Sequence, residues 1–437
     1  MTQRGRIMKA SYFVSLVSLV LLTLIMGTPA RAYNIGELLD AAARQPAVAL
    51  SELASREARL QKDKSTAALY PKINLFGKAE AYNSPTNLRP MPPTEVNVAA
   101  GDPLPFSRTI GRYGINLNLP LYVEPLFALQ EKMKLLSEKA RISQRITVIS
   151  RKASVVALNS AFQYLVDLDA AIDARLKSLT KTREDVSIKV RNGRSPETEL
   201  IKLNNLMLEL KQQKNALAIK ILNIQRDIQR LTDLSVKQPV AMVRAAKITT
   251  AGGFIEVNRD EKEVAAAKKE VERRRSAKYP SLILQGTISD NVGEAYNTDD
   301  EISRSYNFAI LTLNFPLFDK TLSVDENIAR LQLKKSRQKL ANTIIELKAL
   351  ANNLKDRQPV VAKSIELARQ AVSNDNHLLA VAKIAYKSGR TTTEEYLRYE
   401  TQVLSAEAAL HKAIDDQWQI TVKQAVLYGI DIEGVVK

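Results

Sequence analysis

Two short stretches decide how this chain is read: VRNGRSPETELIKL (Val190–Leu203) and AYKSGRTTTEEYLRY (Ala385–Tyr399). Each sets a Gly-Arg pair, Gly193-Arg194 or Gly389-Arg390, between two apolar-periodic segments. Glycine suits the left-handed residue that closes a helix. Ser195 or Pro196, and Thr391 or Thr392, are residues that open the next one. Both stretches therefore read as tips of helical hairpins.

The tips belong to an internal duplication, which has to be found before any fold is assigned. AALYPKINLFG (Ala67–Gly77) is matched by SAKYPSLILQG (Ser276–Gly286), and INLNLPLY (Ile115–Tyr122) by LTLNFPLF (Leu311–Phe318). Pro120 to Pro316 is 196 residues, and Gly193 to Gly389 is 196 as well. No net insertion separates the second strand from the tip, so both segments must reach the same level in space. Pro71 to Pro280 is 209. The extra length falls between the two strands of a copy, where surface loops tolerate change.

Each copy reads helix, strand, loop, strand, very long helix, turn, helix. Tyr113, Ile115, Leu117, Leu119 and Leu121 point one way, with Asn116 and Asn118 between them. Leu311, Leu313, Phe315 and Leu317 alternate with Thr312 and Asn314 in the second copy. One apolar and one polar face fits a membrane-barrel strand, and equally a half-buried soluble strand. Ser84–Arg112 and Asp290–Ser305 are polar enough to be the exposed connections.

From Leu126 to Arg191 the chain runs without proline, on the order of 100 Å as a helix. Apolar residues recur at steps of three and four, as in Leu165, Leu168, Ile172, Leu176 and Leu179. Leu206, Leu210, Leu217, Ile221, Ile224, Ile228 and Leu231 continue the pattern on the return helix. This is a coiled-coil seam with a solvated opposite face. Pro359 interrupts the second long helix and should kink it locally.

Arg4, Arg6 and Lys9, the apolar run SYFVSLVSLVLLTLIMG (Ser11–Gly27) and Ala30-Arg31-Ala32 read as a secretory signal peptide over residues 1–32, with a single membrane anchor as the alternative that the cleavage motif disfavours. The chain has no cysteine, so a lipid-anchored mature N-terminus is excluded and stability must come from packing. The leader takes four basic residues and no acid out of the formal +17, leaving +13. Export argues against nucleic acid as the partner of that charge. Anionic head groups or an acidic partner fit better, and most Lys and Arg should coat the long helices. No later segment has the apolar length of a membrane helix, so a membrane-spanning part must be a closed barrel.

Signal peptide, duplicated units and glycine-containing tips together resemble the TolC family of outer-membrane channel proteins. The markers are AALYPKINLFG and SAKYPSLILQG, LNLPLY and LNFPLF, then NGRSPETEL and YKSGRTTTEEYL, in that order over nearly all the mature chain. The resemblance implies a mainly α fold with a β-barrel portion: a trimeric twelve-stranded outer-membrane barrel continued by a long α-helical periplasmic tunnel. Four strands per chain cannot close a barrel alone, so the strands themselves also demand self-association. The expected layout is a first repeat over 33–232, with strands about 71–83 and 112–122 and a hairpin over 126–232. An equatorial linker, 233–256, leads to a second repeat over 257–429, with strands about 280–289 and 305–318 and a hairpin over 322–428. Residues 430–437 form an equatorial tail.

The resemblance further implies an exit duct for a tripartite efflux pump or type I secretion system. Its partners would be two further copies, a periplasmic adaptor (a membrane fusion protein), an RND or ABC inner-membrane transporter, and outer-membrane lipid. A duct needs no cofactor and performs no chemistry, and no nucleophile–base arrangement or phosphate loop stands in the sequence. The competing readings are a periplasmic coiled-coil adaptor or scaffold without a pore, and an enzyme on a helical stalk.

Aligned on the glycines, Glu199 and Glu395 fall where the family has acidic residues near its periplasmic entrance, and Tyr386 matches a gate tyrosine. Lys202 and Arg398 lie one turn further on. The Arg398 position departs from the family's acidic pattern, which puts a purely acidic ring in doubt. Glu199–Lys202 and Glu395–Arg398 could equally be local helix-supporting pairs. Gly193, Arg194, Ser195, Gly389, Arg390 and Thr391 are the candidates for adaptor docking. His377 and His411 read as solvated, Trp418 as packing. The run Lys268, Lys269, Arg273, Arg274, Arg275 and Lys278 is either a head-group contact or a solvated face.

Overall fold

A computed structural model describes residues 33–92, 97–245, 248 and 252–437. The expected signal peptide lies outside the described residues. Two short helices, α1 (Ile35–Ala43) and α2 (Pro46–Ala67), lead to strands β1 (Lys72–Asn87) and β2 (Phe106–Tyr122). Then come α3 (Glu124–Arg191) and α4 (Glu197–Thr232). The second copy follows as α5 (Ile255–Ser276), β3 (Ser281–Glu294), β4 (Glu301–Asn314), α6 (Lys320–Lys387) and α7 (Thr393–Tyr428).

The helices keep the duplication to the residue. α3 and α6 have 68 residues each, α4 and α7 have 36 each. Their apolar stripes meet as the three-and-four spacing requires: Leu165, Ile172, Leu179 and Val186 of α3 pack with Leu203, Met207, Leu210 and Leu217 of α4. Leu354, Val361 and Ile365 of α6 pack with Ala413, Ile420 and Leu427 of α7. α6 runs on through Pro359, whose ring is exposed. The proline lacks one donor but the helix does not end there.

A third core lies at the waist. Leu38 and Leu39 of α1 pack with Ile149, Val155, Val156 and Phe162 of α3 and with Ile432, Val435 and Val436 of the tail. Asn34 caps α1 in a reciprocal pair with Glu37. Linker and tail, far apart in sequence, form a two-stranded strap: Val243 and Lys437 exchange backbone bonds of 2.8 and 2.9 Å. Asn159 of α3 grips the linker, bonding both the N–H and the C=O of Val240. Trp418 packs against this core, as expected of it.

The four strands form one antiparallel sheet in the order β1-β2-β3-β4, with both outer edges unpaired within the chain. The register sets Leu75, Ile115 and Ile288 side by side, with Ile73 and Leu117 in the next row and Leu119, Leu284 and Leu311 beyond it. Directly opposed residues share a face. That apolar face is exposed, Leu75 at 84 % and Leu313 at 68 %. Asn74, Asn116 and Thr287 line the other face, where Thr287 donates to Asn116 at 2.8 Å.

The strands differ from expectation at their ends. β1, β2, β3 and β4 reach beyond Ser84, Arg112, Asp290 and Ser305, because polar residues pair their backbones as well as apolar ones do. β4 stops at Asn314 and not at 318. Pro316 offers no N–H, and this edge strand has no further neighbour to hold it. Four of the six cations in the basic run before β3 are ion-paired. Lys269 pairs with Glu272, Arg273 and Arg274 with Glu270, Arg274 also with Asp325, and Lys278 with Glu326. Those four cations fasten α5 to itself and to α6, whereas Lys268 and Arg275 are exposed, as a solvated face requires.

Candidate functional site

The two hairpin tips have the same backbone. Gly193 (φ 68°) and Gly389 (φ 74°) are left-handed. Arg194 N–H donates to Lys189 C=O at 2.8 Å, and Arg390 N–H to Ala385 C=O at 2.9 Å. Gly193 N–H and Gly389 N–H donate to Val190 and Tyr386 carbonyls. This nested pair of bonds is the Schellman closure, which consumes the last helix carbonyls. A Cβ on either glycine meets nothing within 4 Å, so the left-handed φ alone demands glycine.

The returning helices open differently. Thr392 caps α7 by accepting from Glu395 N–H at 3.1 Å. Pro196 holds the corresponding place on α4 without a side-chain cap. Ser195 instead donates to Glu199 at 2.8 Å. The same Glu199 oxygen accepts from Thr393 of the other hairpin, also at 2.8 Å. Lys202 reaches Glu394 across the tips at 3.3 Å.

Glu199 and Glu395 therefore occupy equivalent positions but different surroundings. Glu199 clamps one tip to the other and does not pair with Lys202. Glu395 makes the local pair with Arg398, at 3.7 Å. Both Lys202–Glu394 and Glu395–Arg398 are open to solvent, and such pairs contribute about 0–1 kcal/mol. Arg194, Arg390 and Thr391 make no side-chain bond among the described residues and stay available at the tip surface.

Above the tips lies a polar cluster that the sequence reading did not single out. Arg175 of α3 and Glu400 of α7 form a buried ion pair. Tyr396 donates to Glu400 at 2.5 Å, as does Ser178. Arg175 also donates to the Leu397 carbonyl at 3.0 Å. Burial pushes the Arg175 guanidinium down to about 10, which leaves it charged at neutral pH. Burial, then the bond to Glu400, raises the Tyr396 phenol. Tyr386 stacks on Tyr396 with centroids 5.0 Å apart, and Lys189 sits over its ring at 4.7 Å. The Tyr386 hydroxyl is buried with no hydrogen-bond partner among the described residues.

A signal for this cluster was present. Ile172, Arg175, Leu179, Thr182 and Val186 step by three and four, so Arg175 occupies a seam position. Thr393, Tyr396, Glu400 and Val403 do the same on α7. A charge inside a seam needs a partner on the facing helix. His411 is half-buried and lies 2.9 Å from Asp167, whereas His377 is exposed as expected.

Residues 256–426 match the family model described as outer membrane efflux protein. No curated protein matches the chain. Among solved structures, the outer membrane protein VceC from Vibrio cholerae superposes with a TM-score of 0.74 at 14 % identity, over 91 % of this chain and 96 % of that one. The CmeC outer membrane channel of Campylobacter jejuni gives 0.76 at 16 %, over 92 % and 86 %. The MtrE outer membrane channel of Neisseria gonorrhoeae, crystallised in its open state, gives 0.70 at 15 %, over 92 % and 90 %.

Proposed function

We infer that this chain, an outer-membrane efflux channel protein of the TolC family by its matched domain and its fold, serves as one third of the exit duct of a tripartite exporter. One observation carries the reading. A four-stranded sheet with an exposed apolar face and two unpaired edges continues into helices of 68 residues. Unpaired edges cannot face hydrocarbon. Three chains would supply twelve strands and close them, with the polar face inward. The helices, about 100 Å long, would carry the conduit across the periplasm.

The duct does no chemistry. Solute moves through water down the lumen, and directional work belongs to an inner-membrane transporter. A periplasmic adaptor would join the two at the six tips. Arg194, Ser195, Gly193, Gly389, Arg390 and Thr391 are the residues it meets first. Glu199, Lys202, Tyr386, Glu395 and Arg398 surround the entrance, with Glu199 holding paired tips together and Glu395 and Arg398 presenting charge to the solute.

The test is assembly followed by conduction. Protein extracted from outer membranes should run as a trimer by native mass spectrometry and conduct in a planar lipid bilayer. A monomer that never conducts refutes the duct.

A further inference from the structure

One β-register row on the polar face carries a charge pattern that the fold does not require. Lys78 faces Arg112, Arg112 faces Asn291, and Asn291 faces Arg304, so the row crosses all four strands at one height. Only one carboxylate answers it on that face. Glu80, two residues from Lys78, takes Arg112 at 2.8 Å. Arg112 is further tied to the Leu88 and Asn87 carbonyls. Lys78 and Arg304 have no ion pair among the described residues. Lys78 approaches the Phe76 ring and lies within the electrostatic reach of Glu80 without contacting it, and Arg304 donates to the neighbouring Ser303 carbonyl at 2.9 Å. Asn291 adds an amide nitrogen that is buried without an acceptor.

This face is the covered one. Asn291 and Ser289 are buried on it, and Leu88 folds over it against Ile110 and Ile302. The opposite face holds the exposed Ile73, Leu75 and Leu313. With the apolar face toward lipid, the exposed Lys78 and the half-buried Arg304 point into the lumen, while Arg112 and Asn291 lie beneath the Asn87–Leu88 segment.

We propose that this row makes the barrel a selectivity belt for anionic solutes, so that the duct passes small anions, and by the same field anionic substrates, in preference to cations. The proposal rests on the trimeric duct described above. Three copies set six unpaired cations and three Arg–Glu pairs around one level. A twelve-stranded barrel has a backbone radius of about 12 Å, from strand spacing and tilt. Inward side chains narrow it to a scale near the Debye length, about 8 Å at physiological salt. The field therefore spans the lumen, and a ring of Lys and Arg is the arrangement that favours anions.

The other end of the conduit does not oppose it. At the tips Glu199, Glu394 and Glu395 are each engaged by a hydroxyl or a cation. Arg191, Arg194, Lys387 and Arg390 have no carboxylate partner among the described residues, against the one exposed and unengaged carboxylate Glu197 at the start of α4. Both ends of the conduit thus carry an excess of unpaired cations.

Single-channel reversal potential under a KCl gradient tests this. The wild-type protein should show a chloride-to-potassium permeability ratio above unity. Lys78→Gln with Arg304→Gln should lower it about twofold or more, and the two Glu replacements should carry it below unity. Neither side chain holds an ion pair among the described residues, and heat-resistant trimer on gels confirms that the variants assemble. A cation-preferring wild type, or an anion preference that the double variant leaves unchanged, overturns the belt while leaving the duct standing. Trimers that never conduct overturn the duct and the belt together.

Discussion

Replacing Glu400 by glutamine leaves the Arg175 charge inside a helix interface with no opposite charge. The two side chains are 3 % and 6 % exposed. Breaking a buried ion pair from one side costs about 3–5 kcal/mol. Arg175 keeps its bond to the Leu397 carbonyl, so the lower end applies, about 3 kcal/mol. That raises the opening equilibrium of the α3–α7 contact on the order of 100-fold. Hydrogen exchange on peptides spanning Ile172–Thr182 and Thr393–Val403 reads this directly. Glu400→Gln should accelerate both, while peptides of the waist core stay unchanged. Arg175→Met combined with Glu400→Leu should restore protection, because an apolar pair avoids the desolvation of both charges. The lowered Arg175 pKa gives the sign. The folded state gives up that proton first, so above about pH 10 this burial cost begins to fall away. At neutral pH the cost is fully present, and Glu400 is what offsets it. Equal protection in the wild type and Glu400→Gln would refute the reasoning.

Gly389→Val should leave trimers intact and abolish export, because open space surrounds the site and only the left-handed backbone is disturbed; loss of the trimer on gels would indicate a folding defect instead. Gly429→Ala should lower the melting temperature more than Gly389→Ala does, since its Cβ would sit 2.6 Å from Ile255 Cδ1 at an equally left-handed φ. Glu395→Gln should change single-channel conductance or ion preference; an unchanged value leaves Glu395 and Arg398 as a local helix pair. Acid should destabilise the α5 region between about pH 4.5 and 2. Burial raises the Glu270 pKa, but bonds from Arg273, Arg274 and Lys132 outweigh it and hold it at about 2. Lys278 and Arg330 hold Glu326 there too. Such depressed carboxylates stabilise above their ordinary value and lose that contribution as pH falls through the folded one. Glu270→Gln with Glu326→Gln should flatten the melting curve against pH in that window.

The tips were legible because a left-handed glycine followed by a cap leaves few alternatives, and the equal spacing doubled the signal. The strand faces were legible because a period of two survives any uncertainty in strand ends. Strand ends were not, since polar residues such as Thr86 and Ser107 pair their backbones without any apolar alternation to mark them. Within the site, Glu199 could be placed but its partner could not, because Thr393 lies 194 residues away. Arg175 and Glu400 are 225 positions apart in the chain. Each was a visible break in a seam, and pairing them needed only the question of what faces a buried charge.

The matched helix lengths, 68 with 68 and 36 with 36, have a consequence for how such a chain can change. One added helical turn in a single hairpin would push its tip about 5.4 Å past its neighbour. The Glu199–Thr393 clamp and the Lys202–Glu394 bridge would then both lose their reach. The hairpins act as a caliper whose jaws must be recut together. If the proposed duct holds, descendants of this chain suited to a wider or narrower periplasm should differ from it by paired insertions of whole turns, one in each copy, and single insertions should be confined to the loops that join the strands.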